Sequence, residues 1–227
     1  MPDDAWAARA AEAFEQRVRP GLRLCLPTGD TVRPFYREVA ERATLEGVEV
    51  FLLDEFGGLP EGDPGRCEEL IKRDLLDRLS VAPMIRLPDV DATDPDAESL
   101  RYGDLVADGG IDLAIVGLGG NGHIGMNEPG STPDLVTRVV DLASSTTEHA
   151  LLYGATSAPT WGITIGLAEL LQAGEVWLLV TGKHKQEILA KSLEGPIGPG
   201  VPASYLRRHP NLIVMADESA ALGLNRG

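Results

Sequence analysis

One stretch of the chain, Leu113-Ala-Ile-Val-Gly-Leu-Gly-Gly-Asn-Gly-His-Ile-Gly-Met-Asn-Glu-Pro129, gathers residue types that move protons. A short branched apolar run, suited to a buried strand, leads into glycines and then His123. Glycines there let the backbone turn sharply and approach a ligand closely, leaving His123 just past the strand's carboxyl end. Glu128, five residues on, can return to hydrogen-bond one imidazole nitrogen and fix the tautomer, which makes the pair a general acid/base. The competing reading is a glycine-rich turn with an incidental surface histidine. A second apolar run, Val50-Phe-Leu-Leu-Asp-Glu-Phe, places Asp54 and Glu55 where a strand meets a Gly-Pro loop. A carboxylate at a dry, concave site holds its proton more tightly than one in water and can shuttle it, and Asp54 is the better placed of the two. A third run, Leu22 to Leu26, is followed by Pro-Thr-Gly-Asp-Thr and a helical pattern. Backbone N–H groups at that helix start, with the Thr28 and Thr31 hydroxyls, suit an anion, while Asp30 reads as an N-cap.

These residues need a scaffold that brings several strand ends together. Short runs rich in Val, Ile and Leu recur at Leu22 to Leu26, Val48 to Leu53, Met84 to Leu87, Leu113 to Leu118, Val139 to Leu142, Val176 to Val180 and Leu212 to Met215. They are too short for helices and read as strands buried on both faces. Helical patterns lie between them at Val32 to Ala43, Glu68 to Leu79, Glu98 to Ala107, Thr160 to Leu171 and Lys185 to Leu193. The alternation predicts an α/β fold: a three-layer α/β/α sandwich with a mostly parallel, Rossmann-like sheet, formed as one domain over residues 1–227. Loops at the carboxyl ends of such strands form the binding crevice.

Composition narrows the function. A formal charge of −15 over 227 residues opposes nucleic acid and anionic lipid, so any phosphate site must be built locally. No apolar run is long enough to span a bilayer, and Met1 to Arg19 suits an amphipathic helix rather than a secretory signal, which predicts a cytoplasmic protein. The two cysteines, Cys25 and Cys67, form neither a disulfide framework nor a metal cluster. His149, His184 and His209 fall in loop or helix-end contexts, with His209-Pro read as structural. Trp161 and Trp177 read as core.

Taken together, the segments Leu26-Pro-Thr-Gly, Leu53-Asp-Glu-Phe-Gly-Gly-Leu, Gly117 through Gly130, Gly182-Lys-His-Lys, Val201-Pro-Ala-Ser and His209-Pro-Asn resemble the glucosamine-6-phosphate deaminase family, within the wider group that includes 6-phosphogluconolactonase. The pieces span almost the whole chain, and Gly-His-Ile-Gly-Met-Asn-Glu-Pro is specific to the deaminase branch. The resemblance implies that His123, held by Glu128 and near Asn121, moves the proton that opens an amino-sugar ring. It implies that Asp54 carries the C2 proton to C1, after which water adds and ammonia leaves. Substrate contacts are implied at Thr28, Gly29, Asp30, Thr31, Glu55, Gly120, Gly122 and Lys185, with no metal and no organic cofactor. The chain departs from the pattern at Asp30, where the family has Gly or Ser, and in having no Arg from Ala150 to Tyr153. A related amino sugar without a 6-phosphate is therefore an alternative substrate. Lactone or sugar-phosphate hydrolysis, with His123 activating water, and a non-catalytic sugar sensor are alternative functions. The expected partner is a small amino sugar or sugar phosphate, with neither nucleic acid nor membrane. The chain ends soon after Ala216-Asp-Glu, without the extended tail of the longer, allosteric relatives, so the resemblance implies a monomer or small homo-oligomer without allosteric control.

Overall fold

The computed structural model describes residues 1–2 and 5–225; Asp3 and Asp4, part of the expected amphipathic N-terminus, lie outside the described residues. Six strands form a parallel sheet: β1 (Arg23–Leu26), β2 (Glu49–Leu52), β4 (Met84–Arg86), β5 (Leu113–Gly117), β8 (Glu175–Val180) and β9 (Leu212–Ala216). Their order is β4-β2-β1-β5-β8-β9. The chain thus winds outward from β1 to one edge, returns to the middle at β5, and winds outward to the other edge. The loops leaving β1 and β5 therefore diverge, and a crevice opens at the carboxyl ends of these two strands.

Alternation along each strand makes the layers. Leu24, Leu26, Val50, Leu52, Leu113, Ile115, Trp177 and Leu179 join one core with residues of α1 (Trp6–Glu15), α2 (Val32–Arg42) and α3 (Cys67–Asp74). Cys25, Phe51, Leu53, Ala114, Val116, Val176, Leu178 and Val180 join a second core with α4 (Pro95–Ala107), α6 (Leu167–Gln172), α7 (Gln186–Glu194) and α8 (Glu218–Ala221). A sheet buried on both faces explains why its strands read as unbroken apolar runs. The α/β/α sandwich is as expected, and Trp177 is fully buried, as its apolar context indicated. Among the described residues no helix is long and apolar enough to cross a membrane.

A second, antiparallel sheet of three strands, β3 (Asp54–Gly57), β7 (Trp161–Thr164) and β6 (Arg138–Asp141), corrects the sequence reading in three places. The Val139 to Leu142 run belongs to this sheet and not to the parallel one. The Thr160 to Leu171 segment, read as one helix, is β7 followed by α6. Its apolar composition suits either state, but Gly162 and Gly166 weaken a helix, and neither has room for a Cβ: at Gly162 one would stand 2.7 Å from the Glu55 carbonyl oxygen. Finally, β3 starts where a loop was expected, only Leu53 separating it from β2. The Leu53 N–H donates to the Leu26 carbonyl at 2.9 Å and its own carbonyl accepts from the Ile165 N–H at 2.9 Å, so this residue is the joint between the two sheets. Asp54 follows directly, in register with Thr164.

Candidate active site

The crevice holds a cavity of about 300 Å³. Its walls come from four strand ends: Thr28, Gly29, Asp30 and Thr31 after β1; Leu53 and Asp54 after β2; Gly119 and His123 after β5; Thr181 and Lys185 after β8. Residues far apart in sequence, such as Thr31 and His123, thus meet because parallel winding aligns their strands' carboxyl ends. The Thr181 hydroxyl donates to that of Thr31 at 3.4 Å, tying two of these loops together.

His123 and Glu128 meet as the spacing indicated. The His123 Nδ1 lies 3.2 Å from the Glu128 carboxylate. Asn121 serves both: its Nδ2 donates to Glu128 Oε2 at 2.7 Å, and its Oδ1 accepts from the His123 backbone N–H at 3.1 Å. A donor the sequence reading missed completes the set. Thr146, from α5 (Ser144–Leu152), donates its hydroxyl to Glu128 Oε1 at 2.5 Å. These donors, with His123 first among them, outweigh burial and hold the Glu128 carboxyl down at about 2. Glu128 is therefore an ionised anchor that orients the imidazole and does not itself exchange protons near neutrality. Nothing in the spacing signals Thr146; it arrives by the packing of α5. Replacing it with Val, which keeps the shape and removes the donor, is expected to lower kcat about tenfold, by the usual worth of one hydrogen bond to a charged group; a steady-state comparison checks this.

Gly119 shows how tightly the imidazole is seated. A Cβ there would stand 2.2 Å from His123 Cδ2 and 2.3 Å from Nε2. Gly119→Ala must push the ring aside, and a displacement of about 1 Å is expected to cost on the order of 10²-fold in kcat with the fold retained, measurable by activity and thermal melting together.

Asp54, in the wall of the same cavity, is the proton carrier candidate. Its Oδ1 accepts from the Cys67 thiol at 3.8 Å, and burial lifts its carboxyl to about 6, against the pull of a charged His123 and the thiol contact. Two carboxyls in one site are thus set apart, Glu128 low and Asp54 near neutrality, the arrangement that separates a fixed charge from a working base. Cys67 is a cavity wall as well as a packing residue.

Several expected substrate contacts are placed elsewhere. Glu55, buried and absent from the cavity wall, accepts from the backbone N–H groups of Phe56, Cys67 and Glu68 at 2.6–2.7 Å and so satisfies the start of α3; burial still lifts its carboxyl to about 7. Gly120 is exposed and lies outside the cavity wall. Gly122, at φ +90°, is packed where a Cβ would meet Val201 Cγ1 at 2.7 Å, and its carbonyl accepts from the Ala203 N–H at 2.9 Å. These two glycines shape the loop rather than line the cavity.

The loop after β1 behaves partly as expected. Thr28, Gly29, Asp30 and Thr31 all face the cavity, but Asp30 does not cap α2: Thr31 occupies the N-cap position and makes no side-chain cap bond. The Asp30 carboxylate is instead paired with Arg33 at 3.0 Å and is 72% exposed, so its charge is balanced locally and turned to solvent. Uncapped N–H groups at a helix start attract anions. Lys185 Nζ donates to the Leu118 carbonyl at 2.6 Å, and burial lowers its pKa. His149, Tyr153 and His184 add polar surface to the same cavity, whereas His209 is buried between the Ala173 carbonyl, 2.7 Å from Nε2, and the Asn211 N–H, 3.0 Å from Nδ1.

Residues 3–214 match the model of the glucosamine-6-phosphate isomerase/6-phosphogluconolactonase family. Among its relatives, glucosamine-6-phosphate deaminases of Arthrobacter sp. (strain FB24) and Pseudarthrobacter chlorophenolicus are 37% and 38% identical, over 97% and 95% of this chain and 88% and 87% of theirs. Of the solved structures, a monomeric glucosamine-6-phosphate deaminase of the NagB superfamily superposes with a TM-score of 0.90 at 31% identity, covering 96% of this chain and 95% of that one. A 6-phosphogluconolactonase from Thermotoga maritima, 19% identical with a TM-score of 0.78 over 96% of this chain and 97% of its own, shares the fold.

Proposed function

The chain belongs to the glucosamine-6-phosphate isomerase/6-phosphogluconolactonase family, and from that premise we propose the following reaction and assignment of roles. The protein is an amino-sugar isomerase-deaminase that converts glucosamine 6-phosphate to a ketose 6-phosphate and ammonia. The observation that carries the assignment of roles is that Asp54 and His123 line one cavity while Glu128 grips the imidazole at 3.2 Å from behind, with Glu128 held at about 2 and Asp54 raised to about 6. A hydrolase needs one activated water; moving a proton between adjacent carbons needs a carboxylate that can accept it and give it back near neutrality.

The steps follow from the positions. His123, oriented by Glu128 and Asn121, moves the proton between ring oxygen and anomeric hydroxyl that opens the pyranose. Asp54, ionised above about pH 6, takes the proton from C2 of the open aldose, and the electron pair shifts toward the C1 carbonyl. Return of that proton to C1 leaves an imine at C2. Water adds to the imine, and the carbinolamine expels ammonia. The phosphate is held by the start of α2 with the Thr28 and Thr31 hydroxyls and by Lys185, Asp30 being neutralised by Arg33. This reading carries with it a cytoplasmic enzyme acting as a monomer or small homo-oligomer. Deaminases at 31–38% identity favour it over lactone hydrolysis, to which the chain is linked by fold.

The test is ammonia release from glucosamine 6-phosphate, glucosamine and 6-phosphogluconolactone side by side. Stoichiometric ammonia from the phosphorylated hexosamine, with far less from the unphosphorylated sugar, is the expected result. Equal turnover of both hexosamines would remove the phosphate from the reading, and lactone hydrolysis without ammonia from any hexosamine would overturn it.

A further inference from the structure

Beside the catalytic cavity lies a second, open cleft of about 440 Å³. Four arginines line it, Arg33 and Arg37 from α2, Arg73 from α3 and Arg78 from the 3-10 turn Leu76–Arg78, against two aspartates, Asp30 and Asp74. Asp74 is the buried hub of the cleft: it receives Arg33 Nε at 3.1 Å and Arg73 Nε at 3.0 Å, while Arg33 also reaches Asp30 at 3.0 Å. Arg37 and Arg78 are exposed, and neither guanidinium makes an ion pair or hydrogen bond among the described residues. Arg33 and Arg37, four apart on α2, share one helix face. The cleft therefore carries an excess of positive charge on a protein whose formal charge is −15. At physiological salt the remote acids are screened beyond about 8 Å, and the arginines set the local potential.

The two cavities share a wall. Asp30 and Tyr153 line both, and no other of the described residues does. We propose that the arginine cleft is an anion-docking subsite contiguous with the catalytic cavity, where the phosphate of an incoming sugar phosphate is captured before it passes Asp30 and Tyr153 to the loop after β1. The proposal rests on the phosphorylated substrate of the proposed function. The cleft offsets the field of the whole protein, which otherwise opposes an anionic substrate, by concentrating it at the cavity mouth. Guanidinium groups suit the task because their planar donors match phosphate oxygens two at a time. Arg33 and Arg73 are already committed to Asp74, which leaves Arg37 and Arg78 as the groups free to hold a phosphate.

The experiment is the double variant Arg37→Ala/Arg78→Ala, both sites being exposed and outside the catalytic cavity. With glucosamine 6-phosphate, KM is expected to rise about tenfold with kcat unchanged, and the fall of kcat/KM with ionic strength expected of the parent enzyme should flatten. Unchanged KM together with an unchanged salt slope would overturn the proposal. So would sigmoidal kinetics or activation by inorganic phosphate that the double variant abolishes, since either marks a separate effector site. A calorimetric titration with inorganic phosphate decides the matter apart from catalysis: about tenfold weaker binding in the double variant supports the subsite, and equal affinity refutes it. If the parent protein binds phosphate through these arginines yet deaminates no hexosamine phosphate, the proposed function fails and the subsite stands.

Discussion

Replacing Asp54 with Asn is expected to lower ammonia release about 10³-fold or more while making the folded protein more stable. The loss follows because an amide cannot accept the C2 proton, and a positioned base is worth about 10²–10⁴ in rate. The gain follows from burial. The carboxyl titrates at about 6 in the folded protein against 3.8 for the ordinary group, so above pH 6 folding must hold a charge that the interior disfavours. That gap corresponds to up to about 3 kcal/mol. The sign is fixed by proton counts: between pH 4 and 6 the native state binds more protons than the unfolded chain, so stability falls as pH rises. Chemical denaturation of parent and variant should therefore give equal stability near pH 4 or below, a difference that grows to pH 6, and a constant difference above it. The same titration should appear as the acid limb of kcat/KM, near pH 6.

His123→Gln and Glu128→Gln should also reduce turnover, but the second moves stability the other way. Removing the imidazole takes away the group that opens the ring, for an expected loss of about 10³-fold in kcat/KM; glutamine fills similar space without exchanging a proton. Glu128→Gln keeps the size and loses the charge on which His123, Asn121 and Thr146 converge. The side-chain amide turns an NH₂ toward one of these donors, so the imidazole loses its fixed orientation and kcat falls by about 10²-fold. Glu128 titrates at about 2 against 4.5 for the ordinary group. Its contribution, on the order of 3 kcal/mol, is present in full above pH 4.5 and lost as pH falls through 2. At pH 7 the Asp54 and Glu128 variants should therefore bracket the parent in stability, one above and one below. Two destabilised variants would indicate that both carboxylates are mere structural supports.

Legibility from sequence followed how local each feature is. The His123–Glu128 pair was readable because five residues of a tight turn suffice to bring it together, and Asp54 because that pair gave a carboxylate ending an apolar strand a partner, where alone it reads as a solvated acid. The main sheet was readable because strands buried on both faces need no alternation. The three-stranded sheet was not: β3 follows β2 after one residue, with no turn signal, and β7 has a composition equally suited to a helix. Thr146 was invisible because its role depends on where α5 packs. Glu55 misled for the opposite reason, since neighbouring acids at a strand end point to opposite sides, and only Asp54 faces the cavity while Glu55 serves α3. Asp30 looked hostile to phosphate only while its partner three residues away was unassigned.

Deuterium placed at C2 of glucosamine 6-phosphate tests the central claim, that Asp54 moves a carbon-bound proton, more directly than any other measurement. With the parent enzyme the label should leave C2 in step with ammonia release and be found at C1 of the ketose or in water, and with Asp54→Asn it should stay in place. Ammonia appearing while the label remains at C2, as in direct displacement of the amine by water, would contradict the account.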